Sequence, residues 1–598
     1  MTMRRGRVRA CVLVAASLLV AGLAVEAAPA RAALATAAVS AFPTPGTVTA
    51  GSRAEIGLRG APPDQLGRVL VVGSRTGKHA GRLRPHSDGL GASFVPSRPF
   101  RGGETVRVRT GLRIRHARDG DYSFSVGVEV NRAKPIGKEP EIPAGTGGAD
   151  SFRSRPDLHP QSVDVTTHQA AAGAGDVFIA PKGDPGQDGP LIVDNQGEVV
   201  WFKPAGDGRR ATDFRVQQYD GRPVLTWWQG LVGFGNGAGD GIVMDANYKQ
   251  IARVRAGNDW AIDLHEFVIT PQGTALVLIY QPMRRNLRSI GGSRNGLVVD
   301  NIVQEIDIKT GLVLFEWHSI GQVRLGESEI PPPPRRESAK QPYDYFHVNS
   351  VDLDRDGNVL ISARNTSGVY KLSRATGAIL WRLGGKRSDF DMGPGTRFKW
   401  QHDARRQADG TLTIYDNGAA PPVRKRSRAI RLRLDDQARK ATLVRALAHP
   451  GSLLSASQGS AQDLPNGSVF VGWGSQRFFT EFGADGQVVF EGEIAKGADN
   501  YRAYRFPWSG RPRTAPAVAA ARGAPNDTVY ASWNGATEAA RWEVLAGSSA
   551  DAMVPVGGAS KAGFDTALQI PAGAKLYAVR ALDASGQALA SSNAVAPK

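Results

Sequence analysis

Short runs of alternating apolar and polar residues, each closed by a Gly- or Pro-bearing turn, fill most of this 598-residue chain. Between residues 37 and 132 the runs "RVLVVGS", "ETVRVRTGLRI" and "YSFSVGVEV" predict a small antiparallel β-domain. Residues 133–171 are rich in Pro, Gly and Ala and read as a linker or an extended crossing segment. From 172 to 510 a repeat takes over. One half-unit is strand, turn, strand: "LHEFVITPQGTALVLIY", "FHVNSVDLDRDGNVLISAR", "WQHDARRQADGTLTIYD", "GSAQDLPNGSVFVGWG". The other is a Gly turn before an apolar strand, as in "NQGEVVWF" and "RATGAILWRL". The turn glycines Gly357, Gly410 and Gly467 fall 53 and 57 residues apart. Two hairpins in that length make a four-stranded blade, and the repeated segment holds about six of them. A Pro/Ala linker over 511–523 leads to a tail, 524–598, whose strands suit a fibronectin-type-III-like β-sandwich. The expected fold class is therefore all-β: a six-bladed β-propeller between an N-terminal small β-domain and a C-terminal sandwich.

The first 33 residues change the picture of where the protein works. Basic residues precede an apolar run from Val12 to Val25, and small residues end in an Ala-x-Ala-like site near Ala32. That is the anatomy of a cleaved export signal, and the run is short for a membrane span. The expectation is a secreted or cell-envelope protein, with the export route left open. The one cysteine, Cys11, would leave with the signal, so disulfides, thiol nucleophiles and Cys-based metal sites drop out together. The formal charge is +18, of which +14 would remain after cleavage. Such an excess favours anionic partners: small molecules, envelope polymers or nucleic acid. No aromatic-plus-basic RNA motif accompanies it.

Laying the repeats over one another brings out three histidines. His265 lies eight residues before Gly273, His402 eight before Gly410 and His347 ten before Gly357. In the fourth copy Gly459 and Ser460 hold the position, so histidine is not merely part of the repeat. Equivalent positions in a propeller converge on its axis. Arg364, in "ISARNTSGVYKL", should return across its hairpin to the level of His347. Three imidazoles and a guanidinium around one mouth suit a tetrahedral oxyanion. Other readings stand beside this one. Each histidine alone could be a satisfied core residue, and three could ligate zinc or copper, although a nearby Arg would oppose a cation. Arg364 could pair with Asp352 or Asp354. His318 and His449 fall outside the register and read as structural.

The strings "DLHEF", "YFHVNSVDLDRDGNVLISARNTSGVYKLSRATGAILWRLGG", "WQHDAR…GTLTIYDNG" and "QGSAQDLPNGSVFVGWG" together resemble the bacterial arylsulfotransferase family, which uses phenolic sulfate esters as donors. The resemblance spans roughly residues 175–509. It implies a sulfuryl transfer from an aryl sulfate to a phenol through a transient sulfohistidine on His402, with ping-pong kinetics. His265, His347 and Arg364 would then bind the sulfate oxygens, and His265 or His347 could protonate the leaving phenolate. The register alone does not rank the three histidines. No cofactor or metal is implied, and no Gly-rich phosphate loop opening a helix speaks for a nucleotide sulfate donor. The cysteine pair of some periplasmic members is missing, and the C-terminal sandwich is an addition that could contact an envelope polymer. The alternatives are a quinoprotein-like dehydrogenase, because "TGAILWRL" resembles quinone-cofactor propellers, and a non-catalytic propeller that binds anionic glycans.

Overall fold

A computed structural model describes residues 38–130, 148–183, 185–206, 208–233 and 235–598. The expected export signal, with Cys11, and residues 133–147 of the expected linker lie outside the described residues. What is described is all-β. The helices among these residues are single 3-10 turns such as Pro63–Gln65 and Arg364–Thr366.

Six sheets, antiparallel except for one short parallel pairing of Asp391–Met392 in the fifth, follow one another between residues 163 and 506. The first joins Asp176–Ile179, Leu191–Val193 and Val199–Phe202 to Tyr504–Phe506 from the far end of the segment. The second and third run from Arg210–Tyr219 to Gln250–Val254 and from Phe267–Ile269 to Val313–His318. The fourth spans Val348–Leu353 to Ile379–Gly384, and the fifth His402–Arg406 to Lys440–Leu447. The sixth spans Ser460–Asp463 to Val488–Ile494 and is extended by Val163–His168. Successive sheets touch through their leading strands, and the sixth returns to the first through Ser460–Asp463 and Tyr504–Phe506. The turn glycines Gly273, Gly357, Gly410 and Gly467 sit at φ +73°, +78°, +84° and +82°, a region open to glycine at little cost.

Burying both faces of each sheet forces apolar residues to alternate toward both neighbours. Phe178, Trp201, Phe214 and Trp227 fill the space between the first and second sheets, and Leu360, Trp381, Ile414 and Ile430 that between the fourth and fifth. One part of the sequence expectation needs correction. Residues 163–168 fall within the segment whose composition reads as a linker, yet they pair with Phe490–Ile494 and cover the sixth sheet's open edge. Their alternation, "VDVTTH", is a strand signal that the Pro/Gly content of the surrounding segment obscured.

Residues 40–125 form two four-stranded sheets around Ile56, Val71, Val106 and Phe124. This unit docks on the third sheet: the Ser87 amide and hydroxyl donate to Asp307 at 2.7 and 2.8 Å, and Thr49 donates to Asp300 at 2.5 Å. Residues 517–591 form a three-stranded and a four-stranded sheet around Trp542 and Tyr577. The Tyr248 hydroxyl, stacked by its ring on Trp201 at 5.1 Å, donates to the carbonyl of Gly535 at 2.8 Å and fastens this unit.

Candidate active site

The repeat register puts each histidine at the start of the leading strand of a sheet: His265 before Phe267–Ile269, His347 before Val348–Leu353, and His402 opening His402–Arg406. Leading strands of neighbouring sheets converge, so the three imidazoles and Arg364 line a single cavity of about 740 Å³. The rings of His265 and His347 meet edge to face at 4.9 Å between centroids. Arg364 arrives as its hairpin dictates: Val348 pairs with Ala363, and the Arg364 amide donates to the His347 carbonyl at 2.8 Å.

Each imidazole has a different partner on Nδ1. That of His265 bonds Asp263, whose other oxygen accepts the Gly237 amide at 2.6 Å. That of His347 bonds Asp344 at 2.5 Å, and Asp344 also accepts the His347 amide at 3.1 Å, which fixes the residue at φ +57°. His402 instead donates to the amide oxygen of Asn417 at 2.8 Å. The orientation of Asn417 is set by its own NH2, which donates to the carbonyls of Ser455 at 3.3 Å and Gln458 at 3.0 Å. Its Oδ1 therefore faces Nδ1–H, and the lone pair of His402 stays on Nε2, where the Gln458 amide donates to it at 3.2 Å.

Electrostatics separates the three further. Burial, then Arg364, holds the His402 pKa well below the ordinary imidazole value, with His265 and His347 adding to the effect. Burial also lowers His347, with Asp344 opposing. Arg364 is lowered by burial as well. Its guanidinium donates to Asn365 Oδ1 at 2.9 Å and to the Ala420 carbonyl at 3.3 Å, and it lies 5.3 Å from the Trp400 ring centroid. No carboxylate among the described residues forms an ion pair with it. The alternative pairing with Asp352 or Asp354 is not what the fold makes: Asp354 is held by Arg406 and Lys371, and Asp352 lies beside Arg405. The register explains this, since Asp352 pairs with Leu360, well down the hairpin from Arg364.

The fourth-copy position is glycine for a steric reason. A Cβ at Gly459, φ +108°, would sit 2.3 Å from the Tyr415 ring. His318 is buried away from the cavity between Asp300 at 2.7 Å and Glu316 at 3.0 Å, and His449 pairs with Glu491 at 2.9 Å. Among groups the register did not bring out, Asp263 and Asp344 stand two and three residues before their histidines, a signal present in "DLHEF" and "DYFH". Tyr280 stacks on His265 at 5.4 Å, and Lys182 pairs with Asp499 on the cavity wall, beside Gln458.

Fold and cavity together define an all-β protein whose cavity is lined by three imidazoles and the half-buried guanidinium of Arg364. Residues 215–496 match the family model described as Arylsulfotransferase (ASST), a match that supports the bacterial arylsulfotransferase family. No curated protein matches the chain. Among solved structures, a protein of unknown function from Bacteroides caccae is 13% identical with a TM-score of 0.34, covering 55% of this chain and 98% of its own. A catalytically inactive virginiamycin B lyase from Staphylococcus aureus is 9% identical with a TM-score of 0.26, covering 54% and 77%. Neither likeness bears on the reading of the site.

Proposed function

We propose that this protein is an aryl-sulfate sulfotransferase that works by a ping-pong mechanism through His402, on a six-bladed propeller flanked by an N-terminal β-domain and a C-terminal fibronectin-type-III-like sandwich, and that it acts outside the cytoplasm. The observation that carries the reading is the Asn417 partner of His402. An amide holds the tautomer without supplying charge, so His402 stays neutral and nucleophilic at Nε2. Asp263 and Asp344 hold Nδ1 of His265 and His347 and so fix the orientation of both rings toward a bound sulfate ester.

In the first half-reaction the Gln458 amide gives up its 3.2 Å hydrogen bond to Nε2, the freed lone pair forms the N–S bond as the S–O(aryl) bond breaks, and the electron pair of that bond leaves on the phenolate oxygen. A proton from His265 or His347 passes to that oxygen. Arg364, with no carboxylate of its own, stabilises the equatorial sulfuryl oxygens. The sulfo-imidazolium keeps its Nδ1–H on Asn417. A phenol acceptor then attacks sulfur, its proton passing to the histidine that donated earlier, and His402 is regenerated.

Incubating the protein with p-nitrophenyl sulfate without acceptor, then quenching in base, should leave one SO3 on the peptide bearing His402. Adding phenol should discharge it and speed nitrophenolate release. His402→Ala should show neither event. Nitrophenolate release that is unaffected by phenol would indicate a sulfatase instead.

A further inference from the structure

The positive charge of the chain is not spread evenly. Residues 38–130 hold fourteen Lys and Arg against seven Asp and Glu, whereas residues 511–598 hold eight against six. In the six sheets many arginines are consumed internally: Arg215, Arg405, Arg406, Arg428, Arg502 and Arg505 all sit in buried or half-buried ion pairs. The N-terminal unit spends few in this way.

Much of its charge gathers on one sheet face. Pairing of Lys78 with Val72, of Val72 with Arg107, and of Leu70 with Arg109 puts Lys78, Arg107 and Arg109 on the same side. The other side, with Val71, Val106 and Val108, is buried in the unit's core. Arg68, Arg75 and Arg98 stand at the margins of this face and are exposed, as are Lys78, Arg107 and Arg109. Arg98 donates to the carbonyls of Thr76 at 2.5 Å and Lys78 at 3.2 Å, which holds its guanidinium along the edge strand. Asp121 is the one acid paired into the face, and it serves both Arg107 and Arg109. Arg68, Arg75, Lys78 and Arg98 pair with no carboxylate among the described residues. The unit meets the rest of the protein through its other sheet, by way of Glu55, Arg84 and Ser87.

We propose that this face, centred on Lys78, Arg107 and Arg109, is a docking surface for a linear polysaccharide carrying sulfate esters. Strands about 4.8 Å apart and alternate residues about 6.7 Å apart set the cations at a spacing that a chain of anionic sugars can follow. Guanidinium forks suit tetrahedral oxyanions. The outward residues Leu70, Val72, Thr105, Ser123 and Ser125 include no aromatic side chain on which nucleic acid bases would stack, and no exposed large apolar residue that would enter a bilayer. The proposal does not depend on the sulfuryl-transfer reading, since no residue of 38–130 lines the histidine cavity. It moves the expected polymer contact from the C-terminal unit to the N-terminal one.

The test uses the full chain and heparin. Lys78→Glu/Arg107→Glu/Arg109→Glu should bind heparin at least about tenfold more weakly near 0.15 M salt, with a shallower salt dependence by about two to three counterions. The neutral set Lys78→Ala/Arg107→Gln/Arg109→Gln should fall between that variant and the parent. A reference set with the same charge change elsewhere, Arg433→Glu/Lys440→Glu/Arg541→Glu, should leave heparin binding within about twofold. Equal loss in the reference set, or no loss in the face variants, overturns the proposal. So does binding of phosphatidylserine vesicles or duplex DNA as tight as that of heparin and equally sensitive to the face variants. Nitrophenolate release and the unfolding midpoint should be unchanged in all three sets, which ties any loss to the surface.

Discussion

If the partner on Nδ1 is what distinguishes His402 from its neighbours, exchanging that partner should move its titration. Asn417→Asp is the smallest such change: the side chain keeps its shape, and the atom facing His402 becomes a carboxylate oxygen. An opposite charge in hydrogen-bond contact raises an imidazole pKa by one to three units in partly buried sites. Here the lower part of that range applies, because the other carboxylate oxygen would face the carbonyls of Ser455 and Gln458, which now receive the Asn417 NH2. Losing those two donations costs about 1–3 kcal/mol of stability. In the parent, burial and Arg364 keep His402 neutral well below its ordinary pKa, so the acid limb of kcat/KM should lie well under pH 6.5. In the variant the limb should rise by at least about one unit. Each unit by which the new pKa exceeds the assay pH removes about a factor of ten in neutral nucleophile. The loss should therefore be large in mildly acidic buffer and small in mildly alkaline buffer. A carboxylate would also stabilise the sulfo-imidazolium, so the sulfated peptide should persist longer before phenol discharges it. The assay is kcat/KM for p-nitrophenyl sulfate across pH, with quenched-peptide mass analysis alongside. An acid limb that stays in place while the variant is folded, or a loss of equal size at every pH, would refute the argument.

Other outcomes follow from the same geometry. Arg364→Gln removes a half-buried cation that lacks a carboxylate, so it should lower kcat/KM by roughly 10- to 100-fold with no loss of stability, and raise the acid limb because Arg364 depresses His402. Steady-state kinetics and thermal unfolding check both. Gly459→Ala should cost about 2–4 kcal/mol, because the Cβ meets the Tyr415 ring at 2.3 Å and φ is +108°; denaturant unfolding measures it. His318 is held by Asp300 and Glu316 against the cost of burial, with its pKa raised to about 10. A raised imidazole pKa stabilises the fold fully below the unfolded value of about 6.5, and that contribution fades as pH climbs through about 10. His318→Gln should therefore destabilise by about 3–5 kcal/mol near neutrality and by progressively less toward pH 10, as followed by unfolding at each pH.

Much of this cavity is legible in the sequence, because a repeat converts sequence offsets into spatial equivalence. The distances from His265, His347 and His402 to their turn glycines sufficed to bring them to one cavity. Arg364 followed from counting along a hairpin. Less legible were groups whose position depends on side-chain direction rather than register. Asn417 reaches His402 across the pairing of His402 with Tyr415, and only that register reveals it. Lys182 and Asp499 meet because two short strands, Pro181–Lys182 and Asp499–Asn500, pair across more than 300 residues. A two-residue strand has no periodicity to detect. The sixth sheet's added strand is hard to read for a related reason: it sits in a segment whose composition reads as linker.

The residues that follow the histidines suggest why the cavity holds its shape. Glu266, next to His265, bonds Arg502 at 2.9 Å and Arg405 at 2.5 Å, and also bonds Arg215. Asp403, next to His402, bonds Arg405 at 2.8 Å and the Ala461 amide at 3.0 Å. Arg502 donates to the carbonyl of Asn349, two residues past His347, at 3.0 Å, and to Asp213 at 2.8 Å. Burial opposes ionisation of Glu266, yet Arg405, Arg502 and Arg215 outweigh it and hold the carboxyl below its usual range. A buried network of this kind adds little net stability over apolar packing, because desolvation cancels most of the attraction. What it does supply is registration. The strands bearing all three imidazoles are cross-linked within two residues of the rings, so the donors are held at fixed separations before substrate arrives. Under the proposed transfer, preorganised donors would not have to reorient as charge develops on the sulfuryl group, and that is where such a site would gain most of its rate.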